Sequence, residues 1–212
     1  MRPVLITQRL VEASGYIEVR DALDVRWGPF LQSAGLVPIA LPDGVAVDAM
    51  LECVPRVAGL ILTGGNDLSS VDDSALSVRR DRTENAACDR ARELGLPILG
   101  VCRGLQLLGA RSGMALESVD GHVATRHALD VSASSQWLAA FAGREVNSYH
   151  GFAPADGSSA GMNVAARSAD GCVEALESAD GKCLGIMWHP EREERPAEAD
   201  VALFRSFFGD SR

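Results

Sequence analysis

The sequence predicts an α/β fold: a central, mostly parallel sheet with helices on both faces, followed by an additional antiparallel, strand-rich portion. Three observations carry this. In the first half, short β-branched or aliphatic runs alternate with longer amphipathic stretches, the pattern of successive βαβ units. Those runs are apolar throughout, as strands buried on both faces must be. In the second half the runs are shorter and alternate apolar with polar residues. Two Ser-Ala-Asp-Gly turn clusters (168–171 and 178–181) flank one of them.

The elements follow in order. Pro-Val-Leu-Ile-Thr (3–7) is a first strand, and a polar segment comes after it. Residues 24–35 form a helix that Gly35 stops. Residues 36–42 are a second strand and 47–54 a short helix. A third strand starts at Val57 and runs into a glycine turn at Gly64-Gly65. Residues 81–95 are a helix with Gly95 as its stop signal. Pro97–Val101 is a fourth strand, and 103–113 the helix after it. The strand-rich part comprises 115–120, 144–150, 162–169, 172–178 and 182–189. An amphipathic helix (197–209) closes the chain, and 131–136 and 155–161 read as surface loops. With no repeat, low-complexity tract or linker, residues 1–212 are expected to form a single domain.

The chain has 212 residues, enough for a sizeable core. Its 47 % hydrophobic and 23 % charged residues are ordinary for a globular domain. The net charge of −9 excludes a binder of nucleic-acid backbone, although a local basic pocket for one anionic ligand stays possible. No apolar run reaches the ~20 residues of a membrane span, and the N-terminus turns polar too soon for a secretory signal. The five cysteines (Cys53, Cys88, Cys102, Cys172 and Cys183) contain no C-x-x-C pair. That argues against a disulfide framework or a zinc site and for a reducing cytoplasm. The acidic exterior is compatible with a monomer or a homodimer.

One cysteine stands apart. Gly100-Val101-Cys102-Arg103-Gly104 places small residues two before and two after a nucleophile, at a strand-to-helix junction. A nucleophile elbow needs that spacing, because larger side chains would collide in the sharp turn. It exposes the sulfur at the carboxyl edge of the sheet, where a helix N-terminus favours a thiolate. It also aims the N–H of Arg103 at the reacting centre as an oxyanion donor. The pentapeptide alone is equally compatible with a packed core thiol. His189 is the best-placed base among the four histidines: it ends an apolar strand, and Pro190 holds it extended. Glu191, two residues on, falls on the same face of an extended chain and can orient the imidazole. The Gly-Gly turn after the third strand offers the second oxyanion N–H, from Gly65 in preference to Gly64.

Leu-Thr-Gly-Gly-Asn-Asp (62–67), Gly-Val-Cys-Arg-Gly-Leu-Gln (100–106) and Met-Trp-His-Pro-Glu-Arg-Glu (187–193), in that order and spacing, resemble the class I glutamine amidotransferase superfamily. The likeness is closest to its free-standing γ-glutamyl hydrolases and covers nearly the whole chain. The resemblance implies a flavodoxin-like sheet and a Cys-His-Glu triad at Cys102, His189 and Glu191. It also implies a glutamyl subsite at Gln106 and the segment Asn147, Ser148, Tyr149 and His150, with backbone groups at Ser148 and Tyr149 holding the substrate's α-amino and α-carboxylate ends. No metal or organic cofactor is implied. From the residues alone, Gln106 lies one turn after Cys102 on the same helix face, which is the right reach.

A narrower resemblance joins Ile-Thr-Gln-Arg (6–9), residues 18–30, Gly-His-Val (121–123) and Val-Asn-Ser-Tyr-His (146–150) to those motifs. It points to the γ-glutamyl-CDP-amidate hydrolases of bacterial capsule phosphoramidate synthesis. That substrate is nucleotide-linked and anionic, so Arg9, Arg20, Arg103 and Arg126 are candidates to seat it, with no ground to choose among them. His122 and His127 read as structural histidines, with the pocket wall as the alternative. The same triad would serve a glutaminase subunit feeding ammonia to a synthase, a hydrolase of γ-glutamyl amines, or, without catalysis, a ligand-binding module.

Overall fold

The computed structural model describes residues 1–54, 56–155 and 159–209. The first half follows the βα alternation with one addition. β1 (Arg2–Thr7) is followed by a hairpin of β2 (Arg9–Glu12) and β3 (Val19–Ala22) inside the segment expected to be merely polar. Then come α1 (Trp27–Ser33), β4 (Leu36–Leu41), α2 (Val47–Cys53) and β5 (Leu60–Leu62). α3 (Ala75–Glu93) starts two turns earlier than expected, where Ser74 caps it by accepting the N–H of Ser77. β6 (Ile98–Val101) and α4 (Arg103–Arg111) meet at Cys102.

The second half contributes β7 (Leu116–Ser118), β8 (Val123–Ala128), β9 (Asp130–Val131), β10 (Glu145–Tyr149), β11 (Phe152–Pro154), β12 (Met162–Arg167), β13 (Val173–Ser178), β14 (Cys183–Ile186) and α5 (Glu198–Phe207). β8 and β11 were not expected. Within the two expected loops, Val131 is the last residue of β9, while 156–158 lie outside the described residues. Both Ser-Ala-Asp-Gly clusters are turns, each closed by a serine hydroxyl donating to the aspartate two residues on, at 2.5 Å.

Eight strands form the central sheet in the order β4-β1-β5-β6-β14-β13-β12-β9. The first five are mutually parallel and the last three antiparallel. Step direction decides where the helices lie. From β1 the chain moves outward to β4, then returns past β1 to β5 and continues to β6 and β14. With right-handed crossovers, that reversal puts α1 on one face and α2, α3 and α4 on the other. α5 joins α1, with Phe204 stacking edge-on against Phe30, ring centroids 4.8 Å apart. The reversal also creates a switch point at the carboxyl ends of β1 and β5, the crevice where open α/β sheets bind ligands.

α5 carries one buried acid. Asp200 accepts the indole N–H of Trp188 at 2.9 Å, and burial pushes its carboxyl up to about 6. A carboxyl raised in the fold contributes stability that is complete below its unfolded pKa and lost as pH rises through about 6. Asp200→Asn keeps the acceptor and removes the charge. It is expected to be more stable than the wild type at pH 7, by about 2 kcal/mol, with the difference vanishing near pH 4. Denaturant midpoints at the two pH values check this.

Candidate active site

The junction at Cys102 has the geometry its flanks imply. Cys102 has φ 54° and ψ −105°, a conformation that L-residues rarely adopt. A Cβ on Gly100 would lie 2.4 Å from the carbonyl carbon of Gly104, and one on Gly104 would lie 2.4 Å from the carbonyl oxygen of Leu62. The turn therefore tolerates no side chain at either position. The strain is held by neighbours: the Cys102 N–H donates to Ile186 O (2.8 Å), tying the elbow to β14. Arg103 is the first residue of α4, so its N–H has no intrahelical acceptor.

β14 delivers His189 to the same place. Asn147 of β10 fixes its backbone: Oδ1 accepts the His189 N–H (2.9 Å) and Nδ2 donates to the His189 carbonyl (2.8 Å). Pro190 leaves His189 extended, at φ −110° and ψ 91°. The chain then bends into a 3-10 turn, Pro190–Arg192, in place of the straight continuation expected. The turn still carries Glu191 back, and its Oε1 lies 2.7 Å from His189 Nδ1, with both side chains buried. Burial lowers the affinity of His189 for its proton. The hydrogen bonds and charges of Cys102 and Glu191 outweigh this and hold it at about 9. At neutral pH His189 is therefore an imidazolium facing the Cys102 sulfur. The form with His189 protonated should be lost above about pH 9, so activity should fall there, and Glu191→Gln should move that alkaline limb to lower pH. A kcat/KM profile on both proteins measures the limb.

The Gly-Gly turn after β5 faces this pair. A Cβ on Gly64 would lie 2.7 Å from the His189 ring and 3.6 Å from Cys102 Cβ. Gly65 (φ 117°) instead packs against Arg9 and Arg80. Arg80 donates to the carbonyls of Thr63 (2.8 Å) and Gly64 (3.0 Å). In a planar trans peptide the N–H opposes the C=O, so the N–H of Gly65 points away from Arg80.

Beneath the turn lies a buried ionic network that the sequence did not reveal. Glu84 accepts Thr7 Oγ1 (2.6 Å), Arg80 Nε (3.0 Å) and Arg103 Nη1. Burial pushes Glu84 up, and the two guanidiniums more than reverse that. Arg103 also bonds Asp81. The network links the ends of β1 and β5 to the start of α4. Its signal was hidden because Arg80 and Glu84 sit in a helix that reads as solvated charge.

The remaining predicted residues divide. Tyr149 packs its ring edge-on to His189, centroids 5.9 Å apart, and the Arg192 guanidinium lies over the Tyr149 ring. Gln106 is buried and donates to Phe152 O (2.8 Å). The Asn147 amide is engaged by His189 and Glu193, and the Ser148 hydroxyl donates to His122 O. His150, His122 and His127 converge on Glu174. Of the arginines offered for an anion, Arg103 is corrected: two carboxylates take up its buried guanidinium. Arg20 pairs with Glu18 and Arg126 with Glu193. Arg9 forms no salt bridge among the described residues and lines a narrow cleft with Trp27, Gly64, Gly65, His189 and Arg192. That cleft occupies the switch point. Trp27 and Arg192 were not anticipated.

The profile of the family described as Peptidase C26 matches residues 9–191. The chain belongs to that family. A relative from Campylobacter jejuni, a γ-glutamyl-CDP-amidate hydrolase, is 29 % identical over 191 residues, 89 % of each chain. The γ-glutamyl-γ-aminobutyrate hydrolase of Escherichia coli K12 is 30 % identical over 204 residues, covering 82 % of this chain and 80 % of its own. The fold recurs in a Thermotoga maritima glutamine amidotransferase (TM-score 0.67, 14 % identity, 97 % of this chain and 83 % of that one). It recurs again in PurLQS of the same organism (TM-score 0.70, 20 % identity, 97 % of each chain). As a peptidase C26 protein the chain is a hydrolase, built on the class I glutamine amidotransferase fold. Among the described residues no helix is long and apolar enough to cross a membrane.

Proposed function

We propose that the protein hydrolyses a γ-glutamyl amide bond through a γ-glutamyl thioester on Cys102. The observation that carries this reading is the strained elbow cysteine facing a protonated, carboxylate-held histidine. Cys102 Sγ attacks the γ-carbonyl carbon. The oxyanion is received by the N–H groups of Arg103 and Gly65. His189 gives its proton to the leaving nitrogen as the C–N bond breaks. It then takes a proton from water, whose oxygen attacks the thioester; glutamate is released and the Cys102 sulfur leaves as thiolate beside the re-protonated His189. Glu191 keeps the imidazole oriented. Gln106 and the backbone of Ser148 and Tyr149 hold the glutamyl group.

The leaving group we propose is cytidine diphosphoramidate, so that the substrate is γ-glutamyl-CDP-amidate. The Campylobacter relative matches nearly end to end. The Arg9 guanidinium, with no carboxylate partner among the described residues, lines the same cleft as His189 and suits an anion in a protein whose other candidate arginines are engaged. A second reading, hydrolysis of γ-glutamyl amines, is favoured by the Escherichia coli relative. Turnover of γ-glutamyl-CDP-amidate, γ-glutamyl-γ-aminobutyrate and glutamine, compared side by side by glutamate release, separates them. The highest kcat/KM is expected for the nucleotide substrate, and Arg9→Ala should raise its KM more than tenfold while barely touching the others. Preference for the amine, or for free glutamine, would overturn the choice.

A further inference from the structure

Behind β10, on the side away from the Asn147 clamp, three imidazoles point at one buried carboxylate oxygen. Glu174 Oε1 lies 3.3 Å from His122 Nδ1, 3.2 Å from His127 Nε2 and 3.4 Å from His150 Nε2. The Glu174 side chain is 0 % exposed. Neither Glu174 oxygen has a hydrogen-bond partner of good geometry, and neither do His150 Nε2 and both His127 nitrogens. Five polar atoms are thus brought together, buried and unsatisfied, which costs free energy unless something sits among them.

The opposite nitrogens of two rings are already committed. His122 Nε2 is 2.9 Å from Asp170 Oδ2, and His150 Nδ1 is 3.2 Å from Phe152 O. Both partners only accept, so those nitrogens carry the hydrogens. In the neutral rings, His122 Nδ1 and His150 Nε2 then present lone pairs to a carboxylate oxygen. Lone pairs facing a carboxylate repel; a cation between them reconciles all three. A histidine that donates its far N–H to a carboxylate or carbonyl is the usual support of a metal ligand. Cys172, two residues before Glu174, completes the group. His122, His150, Cys172 and Glu174 each offer a ligand atom, all within 4.8 Å of one another.

We propose that His122, His150, Cys172 and Glu174 bind a tetrahedral divalent transition-metal ion, zinc by the chemistry of the donor set. Ligand bonds of about 2.0 Å in a tetrahedron set ligand atoms about 3.3 Å apart, which is the spacing of Glu174 Oε1 from the two rings. A thiolate and a carboxylate neutralise the ion's two charges, so the buried site carries no net charge. His127 closes the side of the site. The ion acts as a staple and takes no part in the chemistry. It ties the loop before β8 and the end of β10 to β13, whose Glu174 carbonyl accepts the N–H of Met187, two residues before His189. The inference is independent of which amide the enzyme cleaves.

The test is metal binding by the full chain. Protein purified without chelator is expected to contain about one zinc by elemental analysis. After stripping, titration with Co2+ alone should give one tetrahedral complex with intense visible bands and a sulfur-to-cobalt charge-transfer band. Cys172→Ser should abolish the charge-transfer band, and Glu174→Gln should weaken Co2+ binding more than tenfold. Cys102→Ser should leave the spectrum unchanged. The proposal is overturned if the wild-type chain takes up no Co2+ at stoichiometric concentration. It is equally overturned if the charge-transfer band survives Cys172→Ser and disappears in Cys102→Ser, which would move the metal to the catalytic thiol. Both of these outcomes are readable even if Glu174→Gln fails to fold.

Discussion

Cys102→Ala is expected to abolish γ-glutamyl hydrolysis, lowering kcat by at least ~10⁴-fold, without unfolding the protein. The expectation rests on what the substitution removes and what it leaves. It deletes the only atom in the elbow that can form the acyl intermediate, and no other cysteine lies at a strand-to-helix junction with small flanks. The packing stays: the Cys102 N–H bond to Ile186 and the close contacts at Gly100 and Gly104 involve backbone. The thermal midpoint should therefore remain within a few degrees of the wild type. His189→Ala should cost a comparable factor, and the double variant little more than either single one, because the pair acts as a unit. Glutamate release and thermal denaturation on the same preparations measure both properties. Retention of even a tenth of the wild-type kcat by Cys102→Ala would contradict the covalent mechanism.

Glu84→Ala is expected to be the most destabilising single change outside the apolar core, costing about 3–5 kcal/mol. Glu84 is shared between Arg80 and Arg103, whose side chains are 2 % and 1 % exposed. Without it, among the described residues, Arg80 has no carboxylate partner and Arg103 keeps only Asp81. Burial already draws the Arg80 guanidinium down to about 10, so it stays charged at neutral pH and its charge would be left uncompensated. The effect should reach catalysis as well. Arg80 holds the carbonyls of Thr63 and Gly64, and through them the peptide that presents the Gly65 N–H. Any folded Glu84→Ala should therefore lose kcat with little change in KM. Urea denaturation followed by tryptophan fluorescence measures the stability, and a loss under 1 kcal/mol would contradict this account of the network.

The parts of the fold that were legible in the sequence are those written as apolar runs. β5, β6 and the inner part of β1 are apolar because both of their faces are covered; β4 is apolar too, although as the edge strand it leaves Val37 and Ala40 exposed, and α1 and α3 end at glycine stops. The elbow was legible because sterics demand glycine at 100 and 104 whatever surrounds them. The β2–β3 hairpin and β8 were missed for the converse reason: most of their residues are exposed, so no periodicity marks them. The first turns of α3, residues 75–80, were missed because charged Arg79 and Arg80 break the apolar spacing there, while Arg80 is in fact buried against Glu84. Glu191 was found by extending a strand that actually bends, so the pairing held although the path differed. The histidine cluster had no local spacing to announce it. His122, His150 and the Cys172–Glu174 pair come from three separate segments, and the absence of a C-x-x-C pair argued against any metal.

The two glycines of the turn after β5 meet different neighbours. Gly64 must be glycine because the His189 ring leaves no room for a Cβ. In the proposed mechanism Gly65 supplies the oxyanion N–H, the one opposite the Arg80-bound carbonyl. The two residues have separate duties, and a Gly64→Ala change should disturb the position of His189.

The central claim is that Cys102 carries the glutamyl group, and acid-quenched mass spectrometry during turnover tests it most directly. With a γ-glutamyl amide in excess, the peptide containing Cys102 is expected to gain the mass of one glutamyl residue. The adduct should be labile to hydroxylamine, as a thioester is, and absent from Cys102→Ala. Steady turnover of the same amide with no adduct on that peptide, or with the adduct on another residue, would contradict the account.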